Sequence, residues 1–105
     1  MKHVVVLGGG ESGVGTALLA KKYGLDVFLS DKGTIKPDYR EVLLQNEISF
    51  EDNGHTMAII EQADVVMKSP GIPDGIPLVK DLKDKGIPVI SEIEFAYRFT
   101  KGTIV

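Results

Sequence analysis

The residues best suited to chemistry lie in the segment GGGESG, which runs from Gly8 to Gly13 between an apolar run and a helical pattern. Its spacing is Gly8-x-Gly10-x-x-Gly13. In such a turn the first glycine permits a tight bend, the second lets a phosphate approach the backbone, and the third lets the helix pack on a sheet. Free N–H groups and the positive end of the helix then favour an anion. The segment predicts a phosphate or pyrophosphate site, and a glycine turn that only packs is the alternative.

Two polar side chains, Glu11 and Ser12, lie inside this turn. The Ser12 hydroxyl could donate to a phosphate or cap the following helix, and both interpretations stay open. A carboxylate beside a pyrophosphate is repelled by about 1 kcal/mol or more near a surface. We therefore expect Glu11 to point to solvent, with a sugar hydroxyl as its alternative partner.

Asp31 follows the second apolar run, DVFLS, and is itself followed by Lys32. In dinucleotide-binding domains a carboxylate at this place accepts hydrogen bonds from the ribose hydroxyls. It could equally accept one from a base N–H, or it could only cap a loop. Lys32 could meet a phosphate, although most exposed lysines are simply solvated.

A second stiff turn, Ser69-Pro70-Gly71, follows the apolar run ADVVMK. Pro70 fixes its own φ, and Pro-Gly favours a type II turn with Gly71 at positive φ, which would aim the Gly71 N–H. Two further prolines, at 73 and 77, stiffen the chain that follows. We predict that this turn forms the second wall of a nucleotide site, and a rigid lid over the end of the sheet is the alternative.

Runs with strand and helix patterns alternate along the chain, which is typical of a parallel sheet. Right-handed crossovers then give an α/β fold with a Rossmann-like, doubly wound, five-stranded sheet and helices on both faces. Ligands bind such sheets where the strand order reverses, so the first and fourth strands should bring the two turns face to face. The predicted strands are 3–8, 26–30, 48–50, 64–69 and 87–90; the predicted helices are 12–24, 37–46, 55–62, 77–86 and 91–99. A further strand is predicted to begin at 103–105.

Composition narrows the class of protein. The 105 residues suit one domain, and 12 basic against 15 acidic residues are scattered without a basic stripe, so no nucleic-acid partner is expected. Without cysteine there are no disulfides or thiolate metal sites, which fits a reducing compartment. Two histidines, His3 and His55, do not suggest a metal site. The apolar runs are too short for a signal peptide or a membrane span, so we predict a cytoplasmic protein with no membrane partner.

Five segments in this order resemble the N-terminal domain of the Mur ligase family, above all of its D-glutamate-adding member: VVVLGGGESG, VFLSD, ADVVMKSPGIP, PLVKDLKDKGIPVISEIEFAYRF and GTIV. The resemblance covers essentially the whole chain. It implies a Rossmann-like domain that holds the UDP part of UDP-N-acetylmuramoyl-L-alanine. It also implies that a central domain binds ATP and Mg²⁺ through a P-loop, and that a C-terminal domain binds D-glutamate. ATP would phosphorylate the substrate carboxylate, and D-glutamate would attack the acyl phosphate to form an amide for peptidoglycan.

The resemblance also implies roles for particular residues. It assigns these to the UDP moiety: Gly10, Glu11, Ser12 and Gly13 at the diphosphate, Asp31 and Lys32 at the uracil end, and Ser69, Pro70 and Gly71 in the facing loop. Two departures from the family pattern are Glu11, where a small or apolar residue is expected, and the pair Lys32-Gly33, which displaces any basic contact there.

The P-loop would follow residue 105, so we expect residues 1–105 to be a single truncated, substrate-binding domain without catalytic residues or a cofactor of its own. We expect the isolated domain to be inactive. An NAD-binding regulatory domain is the main alternative. A dehydrogenase fragment is less well supported, because no hydride-transfer residue is visible.

Overall fold

Strands and helices alternate along the chain, as the sequence pattern predicts. The computed structural model describes residues 3–69, 71–73, 75–95 and 97. The predicted strand at 103–105 and Pro70 lie outside the described residues. The elements are β1 His3–Leu7, α1 Glu11–Lys22, β2 Asp26–Ser30, α2 Pro37–Gln45, β3 Ser49–Glu51, α3 Met57–Ile60, β4 Val65–Lys68, α4 Pro77–Asp84 and β5 Val89–Ser91.

The five strands form one parallel sheet in the order β3-β2-β1-β4-β5. β1 is central, and Val4 pairs with Val27 on one side and Val65 on the other. The chain builds outward from β1 in one direction and then returns to build outward in the other. The strand order therefore reverses between β1 and β4, which confirms the doubly wound prediction and fixes where a ligand site is expected.

The core lies on both faces of the sheet, because alternate residues of a strand point to opposite sides. Val4 and Val6 of β1 pack on the face covered by α1 and α2, whereas Val5 and Leu7 pack on the face covered by α3 and α4. These four side chains are buried, and His3 at the start of β1 is exposed. A strand covered on both faces needs a continuous apolar run, and HVVVL supplies one.

The helix ends follow their sequence signals. Gly24 and Gly86 both adopt φ 79° just after a helix, the left-handed conformation in which glycine commonly ends a helix. The Leu25 amide donates to the Ala20 carbonyl at 3.2 Å and closes α1. After β5, residues 92–95 are helical, and the Glu94 amide donates to the Ser91 hydroxyl at 3.1 Å, so Ser91 caps this segment.

Several bounds differ from the sequence prediction; β5, for example, was predicted at 87–90 and spans Val89–Ser91. α1 begins at Glu11 with Gly10 as its N-cap and has no side-chain cap, so the proposed capping role of Ser12 is wrong. β3 is shifted by one residue, because Ile48 is buried ahead of the strand and pairing begins at Ser49. α3 has only four residues, fewer than the predicted range 55–62.

Candidate nucleotide site at the reversal of strand order

The glycine turn has the three geometries that its spacing predicts. Gly8 lies at φ 109°, a conformation that side chains rarely adopt, and its amide donates to the Ser30 carbonyl at 2.9 Å. A Cβ at Gly13 would lie 1.8 Å from the Gly8 carbonyl oxygen, so only glycine allows α1 to pack this closely. A Cβ at Gly10 would meet nothing within 4 Å, which leaves this backbone open to a ligand.

The Asp31 carboxylate fixes the turn in place. Its Oδ2 accepts a hydrogen bond from the Gly9 amide at 2.7 Å, and its Oδ1 accepts one from the Gly33 amide at 2.8 Å. A Cβ at Gly9 would lie 3.0 Å from Asp31 Oδ2 and 2.7 Å from Ile35, so glycine is also needed at this position. The interpretation that Asp31 caps a loop is therefore confirmed. Each carboxylate oxygen keeps accepting capacity for a ligand.

The segment after β4 is held against the end of β1. The Ser69 amide donates to the Leu7 carbonyl at 3.2 Å, and the Ile72 amide donates to the Ser69 carbonyl at 3.0 Å. Lys68 Nζ donates to the Ile72 carbonyl at 3.0 Å and ties the segment to its own strand. A Cβ at Gly8 would lie 3.1 Å from the Ser69 Cβ. The two turns thus face each other, as predicted. The predicted type II turn includes Pro70, which lies outside the described residues, so the turn type stays a prediction.

A cavity of about 480 Å³ opens between these two segments. That volume is within the range of small-molecule sites, about 300 to 1,000 Å³. One wall is the glycine turn and the opposite wall is largely apolar. The lining residues are Leu7, Gly8, Gly9, Gly10, Asp31, Lys32, His55, Ser69, Gly71, Ile72, Pro73, Ile76, Pro77 and Leu78.

Five of the predicted site residues line this cavity, namely Gly10, Asp31, Lys32, Ser69 and Gly71. The other described candidates, Glu11, Ser12 and Gly13, are not among its lining residues. Glu11 is exposed on the first turn of α1, which agrees with its predicted solvent orientation. Ser12 is exposed on the same turn, and Gly13 is buried beneath it.

The cavity is also lined by residues that the sequence analysis did not assign to the site. His55 reaches it from the turn after β3, where Asn53 and Gly54 adopt φ 60° and 145°. The apolar wall of the cavity consists of Ile72, Pro73, Ile76, Pro77 and Leu78. The Asn53-Gly54 pair is a turn signal in the sequence, but the position of His55 at the cavity also depends on the order of the strands in the sheet.

A buried carboxyl group, that of Glu92, lies near the first turn of α1. The residue is 8% exposed, and Oε1 has no hydrogen-bond partner among the described residues. Burial raises the pKa of the Glu92 carboxyl, and a hydrogen bond with the Ser12 side chain only partly opposes this. The Ser12 side chain thus lies near Glu92.

Replacing this group gives a first test of the structure. Because the folded pKa is raised, the contribution of Glu92 to stability is fully present below its unfolded pKa, about 4.3, and is lost as the pH rises through the folded value. We expect Glu92→Gln, which stays neutral, to flatten this loss of stability, which begins as the pH rises above about 4.3. Urea unfolding at several pH values measures it. The exposed Glu47→Gln is the control, and equal pH profiles for Glu92→Gln and the unmodified chain would contradict the burial of a neutral carboxyl group.

Within the described part of the chain, no group of three or more histidine, cysteine, aspartate or glutamate side chains could hold a metal ion. No helix in the same part is long and apolar enough to cross a membrane.

The fold and the site together define a class: a Rossmann-like domain with a glycine turn and a facing loop at the reversal of strand order. The model of the family described as MurD N-terminal domain matches residues 3–76. This is more than half of the chain, and the chain belongs to that family.

Named relatives agree with this assignment. The chain is 62% identical over 104 residues to a UDP-N-acetylmuramoylalanine–D-glutamate ligase of Christiangramia forsetii, covering 99% of this chain and 23% of that protein. It is 50% identical over 105 residues to the ligase of the same name from Bacteroides thetaiotaomicron, covering 100% of this chain and 24% of that protein. The chain therefore spans about a quarter of the length of these relatives.

Solved structures show the same fold. A UDP-N-acetylmuramate:L-alanyl-γ-D-glutamyl-meso-diaminopimelate ligase from Neisseria meningitidis matches with a TM-score of 0.73 and 27% identity, over 88% of this chain and 29% of that chain. The UDP-N-acetylmuramate–alanine ligase of Thermotoga maritima matches with a TM-score of 0.76 over 98% of this chain and 23% of that chain. Its identity is 22%, so this second likeness supports the fold alone.

Proposed function

We propose that this chain is the UDP-binding N-terminal domain of an ATP-dependent ligase that adds D-glutamate to UDP-N-acetylmuramoyl-L-alanine in peptidoglycan synthesis. The observation that carries the proposal is the cavity of about 480 Å³ between the glycine turn and the segment after β4, in a chain of this family. The relatives' printed name supplies the substrate and the amino acid.

The cavity offers different chemistry at its two ends, which supports this orientation of the ligand. At the glycine turn, open backbone at Gly10 and the N-terminus of the 12-residue helix α1 favour the diphosphate. Ser69, Pro70 and Gly71 supply the facing loop, and Ser12 and Gly13 shape the turn from the helix side. At the other end, Asp31 and Lys32 are assigned to the uridine. Glu11 is exposed, does not line the cavity and is assigned no contact.

The remaining parts of the reaction are assigned to other domains of the parent protein. ATP, Mg²⁺ and D-glutamate would bind there, since the chain corresponds to about a quarter of its relatives. We therefore propose residues 1–105 as a single substrate-binding domain with no catalytic residue, inactive by itself. The cytoplasmic location inferred from the sequence stays a prediction.

The affinity of this chain for nucleotides tests the proposal against its main alternative, an NAD-binding domain. Calorimetric titrations would use UDP, UDP-N-acetylmuramoyl-L-alanine, ADP and NAD. We expect the two uridine ligands to bind and to compete with each other, with ADP and NAD much weaker. Binding of NAD in preference to UDP would overturn the proposal in favour of a dinucleotide-binding domain.

A further inference from the structure

A chain of hydrogen bonds connects the end of β3 to His55 in the cavity. The hydroxyl of Ser30, a fully buried residue, lies 2.8 Å from Glu51 Oε2 and 2.6 Å from His55 Nδ1. The Glu51 carboxylate also accepts from Thr56, at Oε2 from the amide at 2.7 Å and at Oε1 from the hydroxyl at 2.5 Å. His55 thus reaches the cavity with one ring nitrogen already engaged.

The protons in this chain can be assigned from what each group can donate. Burial would raise the pKa of the Glu51 carboxyl, but the hydrogen bonds from Thr56 and Ser30 together with nearby His55 lower it, so Glu51 is ionised and only accepts. The single Ser30 proton goes to this carboxylate, because a charge-assisted bond at 2.8 Å is stronger than the contact with the Gly54 carbonyl at 3.4 Å. The proton in the 2.6 Å contact must then come from His55 Nδ1.

Neutral His55 is therefore held as the Nδ1–H tautomer, and its Nε2 carries a lone pair. Desolvation lowers the pKa of His55 below 6.5; Glu51 and Asp31 oppose this shift, and Lys32 adds to it. These three are the charged groups that act on the ring among the described residues. Near neutral pH the ring is an acceptor, and it lines the cavity together with the Asp31 carboxylate.

We propose that His55 Nε2 accepts a hydrogen bond from a donor group of the bound uridine, so that Glu51, Ser30 and His55 form a relay that sets nucleoside recognition. This deepens the proposed function and rests on it. Two acceptors side by side, Asp31 and His55, match the donors that a uridine carries: the ribose hydroxyls and the base N3–H. A pyrophosphate carries neither ribose hydroxyls nor a base N3–H, so it would not make this contact.

The tautomer is tested first, on the ligand-free chain. Nitrogen-15 NMR of the imidazole rings distinguishes a protonated from an unprotonated ring nitrogen. His3→Gln leaves a single histidine and identifies its signals. We expect Nδ1 protonated and Nε2 unprotonated at neutral pH, and Glu51→Gln, whose amide can donate to Ser30, to weaken this preference. The reverse tautomer in the unmodified chain would overturn the relay.

The contact is tested by comparing UDP with pyrophosphate. His55→Leu should weaken the binding of UDP about two- to tenfold, which is the effect of one net hydrogen bond. It should leave the binding of pyrophosphate unchanged. His55→Gln, which keeps an acceptor that does not titrate, should restore part of the loss. In the unmodified chain the preference for UDP should fall as the pH drops below about 6.5, while in His55→Gln it should not.

The UDP donor is identified with analogues. 2′-Deoxy-UDP and N3-methyl-UDP each lack one donor. The analogue that lacks the donor contacted by His55 should bind the unmodified chain more weakly than UDP does. It should bind His55→Leu as tightly as UDP binds that variant. Unchanged UDP affinity in His55→Leu would refute the role of His55 while leaving the proposed function intact. If the unmodified chain binds pyrophosphate but not UDP, the proposed function itself fails, and this proposal with it.

Discussion

Gly13→Ala should destabilise the chain by about 3 kcal/mol, the upper end for an over-packed site. The new methyl group would lie 1.8 Å from the Gly8 carbonyl oxygen. This neighbour is backbone, and Gly8 is held by a hydrogen bond to Ser30, so relief requires α1 to move away from the turn. The same movement would displace the amides of the glycine turn, to which the proposed function assigns the diphosphate, and we expect UDP binding to be lost. Urea unfolding and a UDP titration measure the two effects.

Gly15→Ala is the matched control, because Gly15 lies in the same helix and a Cβ there meets nothing within 4 Å. Alanine is the better helix former by about 0.8 to 1.0 kcal/mol, so this variant should be slightly more stable and should bind UDP normally. If both variants had the same stability, the close approach of α1 to the Gly8 carbonyl would be refuted.

Asp31→Asn should reduce both stability and UDP affinity. An asparagine offers one acceptor oxygen, so one of the Gly9 and Gly33 amides loses its partner, at a cost of about 1 to 3 kcal/mol. Loss of a charge-assisted bond to the uridine should weaken UDP about tenfold or more. The binding of pyrophosphate should be weakened less, because the substitution would affect it only by loosening the glycine turn. Calorimetric titration with both ligands measures the difference.

The exposed Asp81→Asn on α4 controls for the loss of one negative charge. It should change neither affinity. Equal losses for UDP and pyrophosphate in Asp31→Asn would mean that Asp31 acts only by fixing the glycine turn. Its assignment to the uridine end would then be withdrawn, while its structural role would stand.

The sequence predicted what depends on local pattern. The spacing of Gly8, Gly10 and Gly13 after an apolar run predicted three features that the structure shows: the tight bend, the open backbone and the close contact of the helix with the turn. The alternation of elements predicted the strand order well enough to place the segment after β4 opposite this turn. The position of Asp31 was also correct, although its two bonds to backbone amides were only one of three interpretations.

The rest depends on contacts between residues far apart in sequence. His55 enters the cavity through a turn with two positive φ angles and is oriented by Ser30, 25 residues earlier. Glu92 lies in the segment after β5, yet its carboxyl lies beside Ser12 near the start of α1. Neither contact follows from periodicity or spacing, because each needs the sheet order, the strand register and the side-chain directions together.

The central claim is that this cavity binds the UDP moiety. Amide NMR of the labelled chain, titrated with UDP and separately with NAD, tests it most directly. We predict that UDP shifts the amides from Gly9 to Gly13, Asp31, Gly33 and Gly71, and that NAD leaves them in place. Shifts of these amides with NAD alone, or UDP shifts confined to residues away from the cavity, would contradict the claim.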